Sequence, residues 1–194
     1  INIAKEVIKI EANSLKKLHS SIGKSFEKVV KTILNCKNGK IVISGVGKSG
    51  IIGKKWSATL SSTGTPSFIL YASNASHGDM GQITSNDILI LICLSGESDE
   101  LKNIIQFASR NNNIKLIGIT SKKDSLLFKN ADVKYICVIN VLGKAYDEAF
   151  LIVQRGETII LNQSAILIIV PRFPGSFTES SAIMRLEKLI DSFF

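Results

Sequence analysis

Three side chains able to hold charge or move a proton, Lys48, His77 and Glu97, each follow a short apolar run and sit beside glycine. Lys48 lies in Gly45-Val46-Gly47-Lys48-Ser49-Gly50, directly after the β-branched run Ile41–Ile43. The stretch Ile51–Leu60 follows, with no proline and one glycine, and reads as a helix. A strand, a glycine turn and a helix N-terminus gather unpaired backbone N–H groups and the positive end of a helix dipole at one point. Lys48 adds a mobile positive charge and Ser49 a hydroxyl beside Gly47. A phosphate is expected there.

The kind of phosphate is narrowed by elimination. Gly45-Val-Gly47-Lys-Ser-Gly50 fits the dinucleotide pattern G-x-G-x-x-G, which is weak without its companion acid about 20 residues on. No acidic residue occurs between Glu27 and Asp79, so a nicotinamide cofactor is not expected. A nucleotide P-loop needs glycine five positions before Gly47-Lys-Ser, where this chain has Val42. The remaining alternative is a tight turn of purely structural purpose. No cofactor and no metal ligands are assigned.

His77 stands in Ala75-Ser76-His77-Gly78-Asp79-Met80-Gly81, just beyond the apolar run Ser67–Tyr71. Followed by a glycine and an acid just past a strand end, it suits proton transfer or substrate contact. Glu97 falls in Ser95-Gly96-Glu97-Ser98, after the uninterrupted run Ile88–Leu94 and before a helix with Leu101, Ile104, Ile105 and Ala108 inward. This is a second strand, polar turn and helix N-terminus. Ser95 and Ser98 are natural phosphate ligands, and Ser98 serves equally well as an N-cap. A carboxylate beside bound phosphate feels like-charge repulsion, which raises its pKa and suits Glu97 to general-base work.

The elements that must position these groups follow an alternating order. Helices are expected over 2–22 (Ile3, Val7, Ile10 and Leu18 near one face, His19 near the end) and over Phe26–Leu34, stopping at Asn38-Gly39. Further on come strand Lys115–Thr120, short helix Ser125–Lys129 and strand Val133–Ile139. Strand–helix alternation from residue 40 to 140 argues for a right-handed parallel α/β sheet. Ligands bind such sheets outside the carboxyl ends of the strands, where Lys48, His77 and Glu97 all fall.

The 194 residues suit one domain with a full core, and 45% hydrophobic content with a mean hydropathy of +0.23 suits buried parallel strands. The apolar runs 88–94 and 165–170 are too short to cross a bilayer, and the opening residues lack a signal-peptide layout, although the chain does not start with Met. Cys36, Cys93 and Cys137 lack C-x-x-C spacing and read as reduced core thiols, which points to the cytoplasm. The net charge of +8 favours anionic ligands; the lysines are scattered, without the basic run or aromatic-studded face that nucleic acid binding needs.

Five motifs in order, Gly45-Val-Gly-Lys-Ser-Gly-Ile-Ile-Gly-Lys54, Leu60-Ser-Ser-Thr-Gly-Thr-Pro66, Ser76-His-Gly-Asp-Met-Gly81, Ser95-Gly-Glu-Ser98 and Asn130-Ala-Asp132, make residues 1–139 resemble the sugar isomerase (SIS) domain of the arabinose 5-phosphate isomerase family. The resemblance implies a three-layer α/β/α sandwich with a mainly parallel, flavodoxin-like sheet. It also implies homodimers or homotetramers, and interconversion of ribulose 5-phosphate and arabinose 5-phosphate for a lipopolysaccharide or capsule precursor. Under it, Lys48 steadies the sugar or its oxyanion and His77 and Glu97 form the acid–base set. Gly47, Ser49, Ser95, Gly96 and Ser98 surround the phosphate. Cys93-Leu94 stands where the family usually has Ser-Asn.

The chain is therefore expected to be one SIS domain over 1–194, with N-terminal helices over 1–38 and an atypical segment over 140–194. The family's Cys-Pro-Leu-Gly, Thr-Ser-Ser-Thr and Ser-His-Pro-Gly-Gly segments have no counterpart in place, and the only histidines are His19 and His77. Val141–Gly156 loosely resembles a family helix. Thr158–Leu161 and Ala165–Val170 look like strands. Thr178 and Ser181 precede an amphipathic end helix with Ile183, Leu186, Leu189 and Ile190. The expected activity is sugar-phosphate isomerisation; the alternatives are a non-catalytic phosphosugar-binding module and an SIS isomerase for another sugar phosphate.

Overall fold

The computed structural model describes residues 22–136, together with Asn13, Lys16, His19 and Ser20 and the strand segments Phe150–Gln154, Glu157–Leu161 and Ile168–Val170. Asn13, Lys16, His19 and Ser20 are helical and exposed. The rest of the expected 2–22 helix lies outside the described residues, apart from Ile22 beyond its end. So do Cys137, residues 141–149 and the Thr178–Ser181 turn with its end helix.

The first described helix, α1 (Lys24–Leu34), buries Phe26 and Val29. It ends at Leu34 as expected, with Asn35 as its C-cap donating its N–H to Lys31 O at 3.1 Å. Gly39 serves another purpose, since a Cβ there would stand 2.0 Å from the Asn86 carbonyl oxygen. Two chain segments meet backbone to backbone at that point.

Strand β1 (Ile41–Gly45) is buried along its whole length. It leads into α2 (Lys48–Ser62), β2 (Ser67–Tyr71), a one-turn helix α3 (Ala72–Ala75) and a 3-10 turn at Asp79–Gln82. Next come β3 (Ile88–Ile92), α4 (Asp99–Arg110), β4 (Lys115–Thr120), α5 (Leu126–Asn130) and β5 (Val133–Ile136). The five strands form a parallel sheet in the order β2-β1-β3-β4-β5. The chain steps from β1 to one side, crosses back over it to β3, and continues outward. That order makes the β1/β3 boundary the switch point, where the flanking turns leave a crevice at the carboxyl edge.

Apolar residues cover both faces of the sheet, as the unbroken runs required. Ile43, Ile90 and Ile117 pack with Ile52, Trp56 and Leu60 of α2 and with Phe26 of α1. Val42, Leu89 and Leu91 pack with Leu101 and Ile104 of α4 and Leu127 of α5. The result is the expected three-layer α/β/α sandwich. Among the described residues no helix is long and apolar enough to cross a membrane.

At the amino edge, the buried Asp87 carboxylate is fully engaged. It accepts Lys40 Nζ at 2.7 Å, the Lys40 N–H at 2.9 Å, the Thr84 N–H at 2.7 Å and the Thr84 hydroxyl at 3.0 Å. Burial disfavours the charge, but these hydrogen bonds outweigh it and hold the carboxyl below its usual range. The clasp ties the start of β1 to the start of β3.

A second, antiparallel sheet runs in the order β6 (Phe150–Gln154), β7 (Glu157–Leu161) and β8 (Ile168–Val170). Strand β8 falls within the expected run Ala165–Val170, and β7 covers the expected Thr158–Leu161 and starts one residue earlier. Over residues 150–154, strand β6 corrects the helical likeness: Phe150-Leu-Ile-Val153 is aromatic and β-branched, and pairs from Phe150↔Leu161 to Gln154↔Glu157.

Candidate functional site

Two strand–turn–helix junctions lie side by side at the carboxyl edge. Gly45, the last residue of β1, is in register with Ile92, the last of β3. The first junction needs its glycines. A Cβ on Gly45 would lie 2.9 Å from the Ser49 carbonyl carbon and 3.0 Å from the Ile92 oxygen, and one on Gly50 would lie 2.6 Å from the Gly45 oxygen. Gly47 has φ 57° and ψ −125°, a backbone open to glycine alone, and its carbonyl starts α2 by accepting the Ile51 N–H at 3.1 Å. The helix begins at Lys48, earlier than the Ile51 read from the sequence, so exposed Lys48 and half-buried Ser49 both ride on its first turn.

The second junction is braced from below. Gly96 has φ 68°, and a Cβ there would fall 2.2 Å from Ser125 Oγ and 2.9 Å from Thr120 Oγ1. Its N–H donates to the Cys93 sulfur at 3.2 Å, and its carbonyl accepts the Leu127 N–H at 3.1 Å. The same sulfur lies 3.5 Å from Ser95 Oγ and 3.2 Å from Ser98 Oγ. Burial works against ionising Cys93, yet the hydrogen bonds from Ser95, Ser98 and Gly96 outweigh it and draw the thiol below its ordinary value. Ser98 occupies the N-cap position of α4, but its hydroxyl makes no capping bond. Of the two roles open to it in the sequence, side-chain capping is the one the structure does not use.

Glu97 is exposed, and its Oε1 accepts the Leu126 N–H at 2.7 Å, at the start of α5. Its other oxygen carries no bond to a described residue. Ser95 Oγ in turn accepts the Glu97 N–H at 3.3 Å. The glutamate therefore belongs to a fixed loop rather than a swinging arm.

His77 lies on the connection after β2, exposed, with its N–H bonded to Asn74 O at 2.9 Å. The neighbouring Ser76 hydroxyl accepts a hydrogen bond from Asn103 Nδ2 of α4 at 2.9 Å, which moors this connection to the helix that Ser98 opens. Lys48 and Glu97 thus follow the adjacent strands β1 and β3, while His77 follows β2, on a connection that Asn103 ties to α4.

The two helix N-termini differ electrically. The first turn of α2 carries no acid, whereas α4 starts with Asp99 and Glu100. Side chains already satisfy part of the α4 dipole, so a bound anion gains more from the α2 end. Lys48 at that end is a cation in a place that disfavours cations, an arrangement a bound anion relieves.

Thr120, Ser121, Ser125 and Asn103 are supporting residues that sequence reasoning missed. The Ser121 N–H and hydroxyl and the Thr120 hydroxyl all donate to Leu94 O, at 3.1, 2.8 and 3.2 Å. Their signal was available, since Thr120-Ser121 is a third polar turn at a strand end. Asn103 carried none, being one polar residue on an exposed helix face. Among the described residues no group of three His, Cys, Asp or Glu is placed to hold a metal ion.

The SIS domain family model matches residues 33–141. The chain is 40% identical over 170 residues to arabinose 5-phosphate isomerase KdsD of Francisella tularensis, covering 83% of this chain and 52% of that protein. It is 49% identical over 107 residues to arabinose 5-phosphate isomerase KpsF of Escherichia coli, covering 55% of this chain and 33% of that protein. The chain thus spans about half or less of these curated relatives. A solved structure from Escherichia coli CFT073, in complex with arabinose 5-phosphate, superposes with a TM-score of 0.61 at 34% identity, covering 70% of this chain and 72% of that one.

Proposed function

The chain belongs to the SIS domain family, and on that premise we propose that it is a sugar-phosphate aldose–ketose isomerase interconverting D-ribulose 5-phosphate and D-arabinose 5-phosphate. The observation that carries the reading is the pairing of two strand–turn–helix junctions, Gly47–Ser49 and Ser95–Ser98, on neighbouring strands at the switch point. The names of its relatives supply the substrate.

In this reading the phosphate lies between the turns. It takes N–H groups at the start of α2, the Ser49 hydroxyl, and the Ser95 and Ser98 hydroxyls, with Gly47 and Gly96 allowing close approach. A base removes a proton from C1 of the ketose, and the electron pair forms a C1=C2 bond as the C2 oxygen becomes an oxyanion. Returning a proton to C2, while the O1 proton leaves, gives the aldose. Glu97, with one oxygen tied to Leu126 and the other without a bond to a described residue, is the base; His77 shuttles the proton between oxygens, and Lys48 steadies the oxyanion. The protein acts without a cofactor, as a cytoplasmic homodimer or homotetramer.

One observation favours a second reading, a phosphosugar-binding module without catalysis: the Glu97 carboxylate has structural employment at the start of α5. Isomerisation of ribulose 5-phosphate in heavy water, followed by NMR, separates the two. Deuterium at C2 of newly formed arabinose 5-phosphate, lost in Glu97→Gln, supports the isomerase. Saturable binding without exchange establishes the binder.

A further inference from the structure

The edge of the sheet opposite the candidate site holds a cavity of about 770 Å³, between the carboxyl end of α1 and the amino ends of β3, β4 and β5. That volume is within the usual range for small-molecule sites. Lys28, Lys37 and Lys115 border it, and none of the three makes an ion pair with a described residue. Two acids also line it. Asp87 is consumed by the Lys40–Thr84 clasp, and Asp132 spends one oxygen on the Leu116 N–H at 2.8 Å. With Asp87 cancelled by Lys40, three ammonium groups face one carboxylate.

Four asparagines, Asn35, Asn38, Asn86 and Asn113, come to the same cavity from three separate segments of the chain. None of their side-chain amides bonds to a described residue, in contrast to Asn103, Asn111 and Asn130, whose amides are all engaged. Asn86 is held at φ 82°, where the close backbone approach of Gly39 meets its carbonyl. Each primary amide offers two donors beside an acceptor, which matches a sugar hydroxyl, itself donor and acceptor. Ammonium groups supply the complement to a carboxylate or phosphate.

We infer that this cavity is a second ligand site, for a small polyhydroxylated anion such as an aldonate or a sugar phosphate. The lysines select the charge and the asparagines read the hydroxyls.

The test is a two-dimensional 15N NMR titration of the whole chain with D-gluconate, D-glucose 6-phosphate and D-glucose as probes. The expected result is saturable shifting of the side-chain amide signals of Asn35, Asn38, Asn86 and Asn113 with at least one anion, and none with glucose. Gluconate alone marks a carboxylate site; glucose 6-phosphate alone marks a phosphate site. The double variant Lys37→Gln/Lys115→Gln, with well-dispersed spectra showing that it folds, weakens that binding at least ten-fold, while Lys54→Gln on α2 leaves it unchanged. The inference is overturned if both anions leave the four amides unmoved, if shifts appear only at Gly47 and Gly96, if glucose binds equally, or if the double variant binds as the parent does.

Discussion

The Cys93 sulfur lies 3.2 Å from the Ser98 hydroxyl oxygen, so the thiol holds up the loop expected to grip phosphate. Cys93→Val keeps the approximate volume but removes the sulfur that meets Ser95, Ser98 and Gly96, leaving the Gly96 N–H the Cys93 carbonyl at 3.1 Å, and should cost about 1 kcal/mol in denaturant unfolding. Cys93→Ser, which restores an acceptor, should recover part of that loss, together with affinity for inorganic phosphate. The thiol is drawn below its ordinary value in the fold. Its contribution is therefore fully present above the unfolded thiol pKa of roughly 8.5, and is lost as pH falls through the folded value. The stability gap between parent and Cys93→Ser should widen as pH rises toward 9. A gap that stays flat from pH 6 to 9 would count against it.

Gly96→Ala should be among the most damaging one-carbon changes at this edge. The added Cβ meets Ser125 Oγ at 2.2 Å on a backbone with φ 68°, and we expect a loss of about 2–4 kcal/mol with weakened sugar-phosphate binding. Gly81→Ala, with nothing within 4 Å, is the control and should unfold like the parent. Paired thermal melts of the two variants check this directly.

Glu97→Gln and Glu97→Ala separate structure from chemistry. Glutamine keeps an oxygen for the Leu126 N–H, so its melting temperature should match the parent while turnover falls by about 100-fold or more. Alanine should lose turnover and also about 1 kcal/mol, because the Leu126 N–H loses its acceptor while the Ser125 cap of α5 remains. Full activity in the glutamine variant removes Glu97 from the role of base.

Asp87 predicts a specific acid limb. Its folded pKa is depressed, so its stabilisation is present above the unfolded aspartate value of roughly 3.9 and disappears as pH falls through the folded value. Asp87→Asn should be destabilised at pH 7 by about 3 kcal/mol, since Lys40 loses its buried partner, and its stability should vary less between pH 5 and 2. Equilibrium urea unfolding across that range gives the comparison.

Most of the sheet was legible because a strand covered on both faces is mostly apolar: Ile88–Ile92 could be little else. The inward positions Leu101, Ile104, Ile105 and Ala108 followed from helical spacing and are all buried. Long-range particulars were not legible. Whether Ser98 caps its helix or meets Cys93 depends on the left-handed Gly96 turn, which depends on space left by Ser125 on another element. The mooring of Ser76 by Asn103 spans 27 residues and leaves no local pattern. At β6, likeness to a family helix outweighed a β-prone run, and the residues' own preference prevailed.

The strand order also sets a folding sequence. β1 meets β3 only by closing a loop that contains the whole unit around β2, and the Lys40–Asp87 contact that closes this arrangement spans 47 residues. Closing so long a loop costs chain entropy before any pairing energy returns, which makes this step a candidate for the folding barrier. The clasp at the amino edge would then be a fastener of the nucleus, whose loss slows refolding more than it hastens unfolding. The crevice at the other end of the same two strands would be born in that event, its two turns brought side by side when the loop closes.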